Sequence, residues 1–96
     1  MVMNMQWEGV TPDQYEEIRR TTNWEANVPV GGILHVSSFS DKGLHVTDVW
    51  ESAEDFNRFV NDRLMPSVAQ AGLTTQPQVM ITPIHAVFNP HPERLV

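Results

Sequence analysis

Gly31-Gly32-Ile33-Leu34-His35-Val36-Ser37-Ser38-Phe39-Ser40-Asp41-Lys42-Gly43-Leu44-His45-Val46-Thr47-Asp48-Val49-Trp50 carries two β-patterned runs hinged at a short polar turn that ends in glycine. β-branched and apolar residues on both sides of such a turn predict a hairpin. With Asp41-Lys42 as the loop, Ser40 faces Gly43, and the ladder then sets His35 opposite Asp48 and Ile33 opposite Trp50. An acid/base pair falls at the middle of the hairpin. Strand parity puts His35, Asp48 and Trp50 on one face with Ile33, Ser37, Phe39, Leu44 and Val46. Whether that face looks towards helices or towards a partner subunit is left open by parity.

Outward from the hairpin, Met3, Met5 and Trp7 alternate with Val2, Asn4 and Gln6, the period of a half-buried first strand. Thr11-Pro12-Asp13-Gln14 combines an N-cap, a proline at the first helical position and a glutamine placed for a capping box, so a helix starts at Pro12. Tyr15, Ile18, the stem of Arg19 and Thr22 form its apolar face, and it ends near Asn23-Trp24. Ser52-Ala53-Glu54-Asp55 opens a second helix with Phe56, Phe59, Val60, Arg63 and Leu64 inward. Pro66 predicts a kink, and Gly72 a stop. Gln78 to Phe88 alternates as a fourth strand. Its Pro83 suits a sheet edge, where a missing N–H needs no ladder partner.

The 96 residues make one domain, with a net charge of −6 and six Lys and Arg in total. So few cations, without a cluster, argue against nucleic acid and against an anionic membrane surface. No apolar run reaches the length of a membrane span, and the first residues lack the pattern of a signal peptide, so a soluble cytoplasmic protein is expected. Cysteine is absent, which leaves no disulfide, thiolate nucleophile or Cys-based metal site. A chain this short buries only about 60–70% of its unfolded surface, which makes a homodimer a natural expectation.

The order β-α-β-β-α-β predicts a ferredoxin-like α+β fold with a four-stranded antiparallel sheet, β1 and β3 central, β2 and β4 at the edges. Within that class, Gly31-Gly32-Ile33-Leu34-His35-Val36, Asp48-Val49-Trp50-Glu51-Ser52 followed by Phe56 and Phe59, and Pro83-Ile84-His85 carry a resemblance to the antibiotic-biosynthesis-monooxygenase-like branch of the dimeric α+β barrel superfamily. The resemblance spans residues 1–89 and leaves 90–96 as a tail or dimer arm. It implies a homodimeric barrel with a pocket in each subunit, and activities that include cofactor-independent monooxygenation, isomerisation and cyclisation as well as ligand sensing. Haem-degrading members pair a strand Asn with a helical His; Asn4 suits the first role, but no histidine here falls on a predicted helix. The Asn and Trp pair of the monooxygenases is matched in part, by Trp50 and Asn57.

The leading expectation is a small cofactor-independent enzyme acting on an aromatic or polyketide-like molecule, with His35 as base and Asp48 fixing its tautomer. Deprotonating an electron-rich phenol yields a carbanion able to reduce O₂, and the same pair would serve an isomerase or cyclase. Tyr15, Trp24, Trp50, Phe56 and His85 are the candidate substrate-binding residues, Phe59 a further aromatic wall. The alternative is a non-catalytic dimeric protein that binds a small apolar ligand, its His–Asp pair holding the hairpin together. His45, of opposite parity, is expected at the partner or in solvent. His35, Asp48 and His85 have the ligand types for Fe(II) or Zn, but come from three strands without a short metal motif, so no metal is assigned.

Overall fold

The computed structural model describes residues 1–95 and follows the predicted order. Strand β1 (Val2–Glu8) leads to helix α1 (Pro12–Thr22), then to strands β2 (Gly32–Ser40) and β3 (Gly43–Trp50). Helix α2 (Ala53–Phe59) passes through a π-helical turn (Val60–Leu64) into α3 (Met65–Gln70), and β4 (Gln78–Thr82) completes the sheet. The antiparallel sheet is ordered β2-β3-β1-β4, so both strands expected at the edges lie there.

Local chemistry accounts for the helix ends. Thr11 Oγ1 accepts from Gln14 N at 3.2 Å, and Gln14 Oε1 accepts from Thr11 N at 3.0 Å, a reciprocal capping box that anchors the first turn of α1. Asn23 closes α1 in the left-handed conformation at φ 56°, ψ 44°, where asparagine is tolerated, and so redirects the chain. The kink at Pro66 takes a specific form. Proline cannot donate to the helical ladder, and just ahead of it Met65 N bonds to Val60 O, five residues back, so the helix widens instead of breaking.

Met3, Met5, Trp7, Leu44, Val46 and Trp50 from the sheet are buried against Tyr15 and Ile18 of α1, Phe56 of α2 and Val68 of α3. The His35 face of the hairpin is therefore the helix-covered one, which settles what parity left open. On the other face Val36 remains 46% and Met80 64% exposed.

Two expectations are corrected. The ladder runs in the predicted register from Ser40–Gly43 through His35–Asp48 to Leu34–Val49, but a bulge then intervenes and Trp50 pairs with Gly32, not Ile33. A Cβ at Gly32 would press on Pro29 O at 3.3 Å and touch the Trp50 ring at 3.6 Å, and the bulge leaves Ile33 without a ladder partner, 61% exposed. The fourth strand stops at Thr82, not Phe88. Its partner β1 begins at Val2, opposite Thr82, and Pro83 offers no N–H to carry the ladder further, so Ile84, His85 and Val87 lie outside the sheet.

Gly43 closes the hairpin at φ +135°, and a Cβ there would overlap the Trp7 carbonyl oxygen and lie 2.8 Å from Gly9 N. Both obstacles are backbone, which cannot move aside without opening the β1–β3 pairing. Gly43→Ala is therefore expected to destabilise the fold by about 2 kcal/mol, a fall of roughly 10 °C in Tm for a domain of this size. Thermal unfolding followed by circular dichroism checks it; an unchanged Tm would contradict the register.

Candidate functional site

Four side chains form one hydrogen-bonded chain across the interface between sheet and helix α1. Asp48, in the central strand β3, is 6% exposed. Its Oδ1 lies 2.6 Å from His35 Nδ1 on β2, and its Oδ2 accepts from Trp50 Nε1 at 3.0 Å. The other imidazole nitrogen, Nε2, lies 2.8 Å from the Tyr15 hydroxyl on α1. An indole N–H can only donate, so Asp48 accepts there. As a carboxylate it accepts also from His35 Nδ1–H, and the neutral imidazole then offers Nε2 as acceptor to the Tyr15 O–H. One set of protons satisfies every member: Tyr15 donates to His35, and His35 and Trp50 donate to Asp48.

Each member is placed by its element. His35 and Asp48 are directly opposed in the ladder, close enough for side-chain bonding. Tyr15 leaves the first turn of α1, whose start is fixed by the capping box. The Asn23 turn brings Trp24 over His35, ring centroids 5.1 Å apart, and edge-on to Tyr15 at 5.9 Å. Phe39 meets Tyr15 edge-on from the sheet at 5.9 Å. Trp50 is held by Phe56 and Phe59 at 5.6 and 5.5 Å.

All of these side chains except Phe39 border a cavity of about 600 Å³, within the range of small-molecule sites. Methionine and aliphatic side chains of the core and the hairpin form most of its wall, with Ser37 as a further hydroxyl. At the rim, Arg19 is paired with Glu25 and, at 3.3 Å, with Glu16. Arg19 holds the Glu25 carboxyl below the usual carboxylate range. Burial pushes the Tyr15 phenol above its ordinary value, opposed in part by the nearby polar groups of Ser37 and Arg19.

Of the residues singled out from the sequence, His35, Asp48, Trp50, Tyr15, Trp24 and Phe56 all line this cavity, as does Phe59. His85 does not: it sits past the end of β4, exposed, and the structure does not bring it to His35 and Asp48. Among the described residues no group of three His, Asp or Glu side chains is arranged to hold a metal ion. Asn57 is exposed and off the cavity wall, so the Asn and Trp pair is not assembled with Trp50. Arg63 donates to the Thr22 carbonyl at 3.0 Å and covers the Phe59 ring, joining α1 to the π turn. His45 lies on the outer face, 2.7 Å from Ser40 Oγ. Sequence reasoning assigned Tyr15 to the pocket wall but missed its bond to His35; the available signal was that α1, crossing between β1 and β2, turns Tyr15 inward at its first turn.

No protein-family model matches this sequence, and no curated protein matches it. Solved structures do. A protein of unknown function from Nitrosomonas europaea superposes with a TM-score of 0.66 at 14% identity, covering 93% of this chain and 92% of that one. A "putative antibiotic biosynthesis monooxygenase" from Deinococcus radiodurans superposes with a TM-score of 0.63 at 12% identity, covering 93% and 97%. These likenesses show the fold alone: a ferredoxin-like α+β domain with a four-stranded antiparallel sheet. Among the described residues no helix is long and apolar enough to cross a membrane.

Tyr15 is the sole tyrosine, so absorbance near the phenolate band reports it alone. Its midpoint is expected above that of a free tyrosine, near pH 10. Because the folded value is raised, the stabilising contribution is complete below the unfolded pKa and is lost as pH rises through the folded one. An ordinary or lowered midpoint in the folded protein would contradict the buried placement of this ring.

Proposed function

We propose that the protein is a small acid/base enzyme of the monooxygenase-like kind, acting on an aromatic or polyketide-like molecule in the cavity beneath α1. The observation that carries the reading is the orientation of His35 by a buried carboxylate at the wall of a largely apolar cavity. Asp48 selects the tautomer and stabilises the imidazolium that forms when the substrate's proton ends on His35. The electron pair left on an electron-rich phenol or enol is then available to reduce O₂ or to shift a double bond. Oxygenation, isomerisation and cyclisation share this first step, and the chain's own residues suffice for it. The fold neighbour described as a monooxygenase is consistent with the first outcome.

One observation favours the non-catalytic alternative. Both imidazole nitrogens are already bonded within the protein, as they would be if His35 served only to tie hairpin to helix.

Deuterium exchange at the carbon beside the hydroxyl of dihydroxynaphthalenes, followed by proton NMR in D₂O together with O₂ uptake, separates the two. His35→Ala is expected to lower exchange by at least about 10²-fold while the far-ultraviolet dichroism is retained. Equal exchange by the variant and the unaltered protein would remove His35 from the chemistry and leave the binding role.

The same proposal includes a homodimer formed through the outer face of the sheet, supported by the exposure of Val36 and Met80 there and by the size of the domain. Val36→Glu combined with Met80→Glu is expected to halve the mass measured by light scattering. A monomeric unaltered protein would contradict this part of the reading.

A further inference from the structure

The acid/base reading needs a route from the substrate to His35, and neither imidazole nitrogen is open. Nδ1 is committed to Asp48 at 2.6 Å and Nε2 to Tyr15 at 2.8 Å. The tyrosine and imidazole rings are nearly parallel, 7° apart with centroids separated by 6.2 Å. With the hydroxyl on Nε2, that separation sets the two rings almost end to end, so the O–H points along the in-plane lone pair of the nitrogen. Trp24 packs against the same imidazole. Freeing Nε2 would require moving the first turn of α1, which the Thr11–Gln14 capping box holds in place.

We propose that Tyr15, and not His35, is the catalytic residue that meets the substrate, its hydroxyl acting as a proton relay to His35. The inference rests on the acid/base function proposed above and specifies which atom performs it. As the substrate O–H or C–H bond breaks, its proton forms a new O–H bond on the Tyr15 oxygen. The original Tyr15 proton leaves for Nε2 in the same event. The bonding electron pair stays on the substrate as a phenolate or enolate, the imidazolium is paired with Asp48, and charge is conserved. Tyr15 ends as a phenol, and its newly acquired proton donates to the anion, so one hydroxyl both conducts the proton and stabilises the charge that develops.

The surroundings of Tyr15 suit a relay better than a standing base. Burial disfavours a free phenolate, so the residue holds its proton until His35 accepts it. Ser37 places a further hydroxyl on the same cavity wall. At the rim one cation, Arg19, is shared by two carboxylates, Glu16 and Glu25, so the mouth carries no excess positive charge to attract an anion, in keeping with a substrate that arrives neutral and becomes ionised only inside.

4-Nitrophenol tests the relay, because its phenol and phenolate absorb at different wavelengths. The unaltered protein is expected to bind it as the phenolate with the proton retained by His35. Tyr15→Phe keeps the ring over Nε2 but has no proton to pass, so the bound phenolate fraction should fall by at least about tenfold, as it should in His35→Ala. If Tyr15→Phe retains the bound phenolate and His35→Ala loses it, His35 takes the proton directly: the relay is overturned and the acid/base function stands. If the unaltered protein binds only the neutral phenol, or none at millimolar concentration, both fall. A second measurement avoids any misfolded variant. Since the chain has one tyrosine, growth on 3-fluorotyrosine labels Tyr15 alone. Its ¹⁹F resonance should move on addition of 4-nitrophenol, and an unmoved resonance with the probe bound overturns the relay.

Discussion

The carboxylate of Asp48 is the constraint on which the site depends. It is enclosed in the second layer of a two-layer domain, where an unpaired charge would cost several kcal/mol. Its two oxygens are answered by two donors that approach from different directions, an imidazole across the ladder and an indole two residues along its own strand. Each donor then fixes something larger. The imidazole bond requires β2 and β3 to pair in one register, since a slip by one residue would turn His35 to the outer face. The indole bond fixes the Trp50 ring against Phe56, which meets it edge-on, and Phe59, which is tilted to it, and so seats α2. A single buried charge thus ties the hairpin, the second helix and, through His35 and Tyr15, the first helix together.

That arrangement explains why a cavity persists at the place where a core would otherwise close. Four linked polar groups must keep their mutual distances, so the helices above them cannot settle fully onto the sheet. Three local departures from regular structure serve the same end. The bulge at Gly32 lets Trp50 lie under the loop that precedes β2. The left-handed turn at Asn23 carries Trp24 back over His35. The π turn before Pro66 shifts the axis between α2 and α3, and Leu64, in that turn, is part of the cavity wall. Regular helices and strands in these three positions would pack more area and leave less room.

Much of this was legible in the sequence where the controlling interaction is local or periodic. The hairpin loop at Asp41-Lys42 sets the pairing of His35 with Asp48 by counting, and Thr11-Pro12 starts α1 where the capping box forms. Pro83 pointed correctly to a sheet edge. The end of β4 at Thr82 was masked by the apolar alternation that continues through Phe88: β1 begins at Val2, opposite Thr82, and alternation reports which side a residue would face, not whether a partner strand is there to pair with. Ile33 was misplaced because counting assumes an unbroken ladder, and the bulge depends on how the Trp50 ring meets Gly32. Of the Tyr15–His35 bond only the inward turn of Tyr15 from the start of α1 was legible; the bond itself depends on the height of a helix above a sheet, which no spacing encodes.

A fold shared at 12–14% identity says little about chemistry, because sheet order and helix placement survive the replacement of nearly every side chain. What distinguishes this chain is that its polar residues are not distributed over the interface but joined end to end across it. In such a chain the protonation of one end is felt at the other. A proton arriving at His35 makes its bond to Asp48 an ion pair, without moving either ring. An isolated histidine in the same cavity would be held only by packing, with neither its tautomer nor its orientation fixed. The carboxylate fixes both, so the feature that makes the interface costly to assemble is also the one that aims the free lone pair of its histidine at Tyr15.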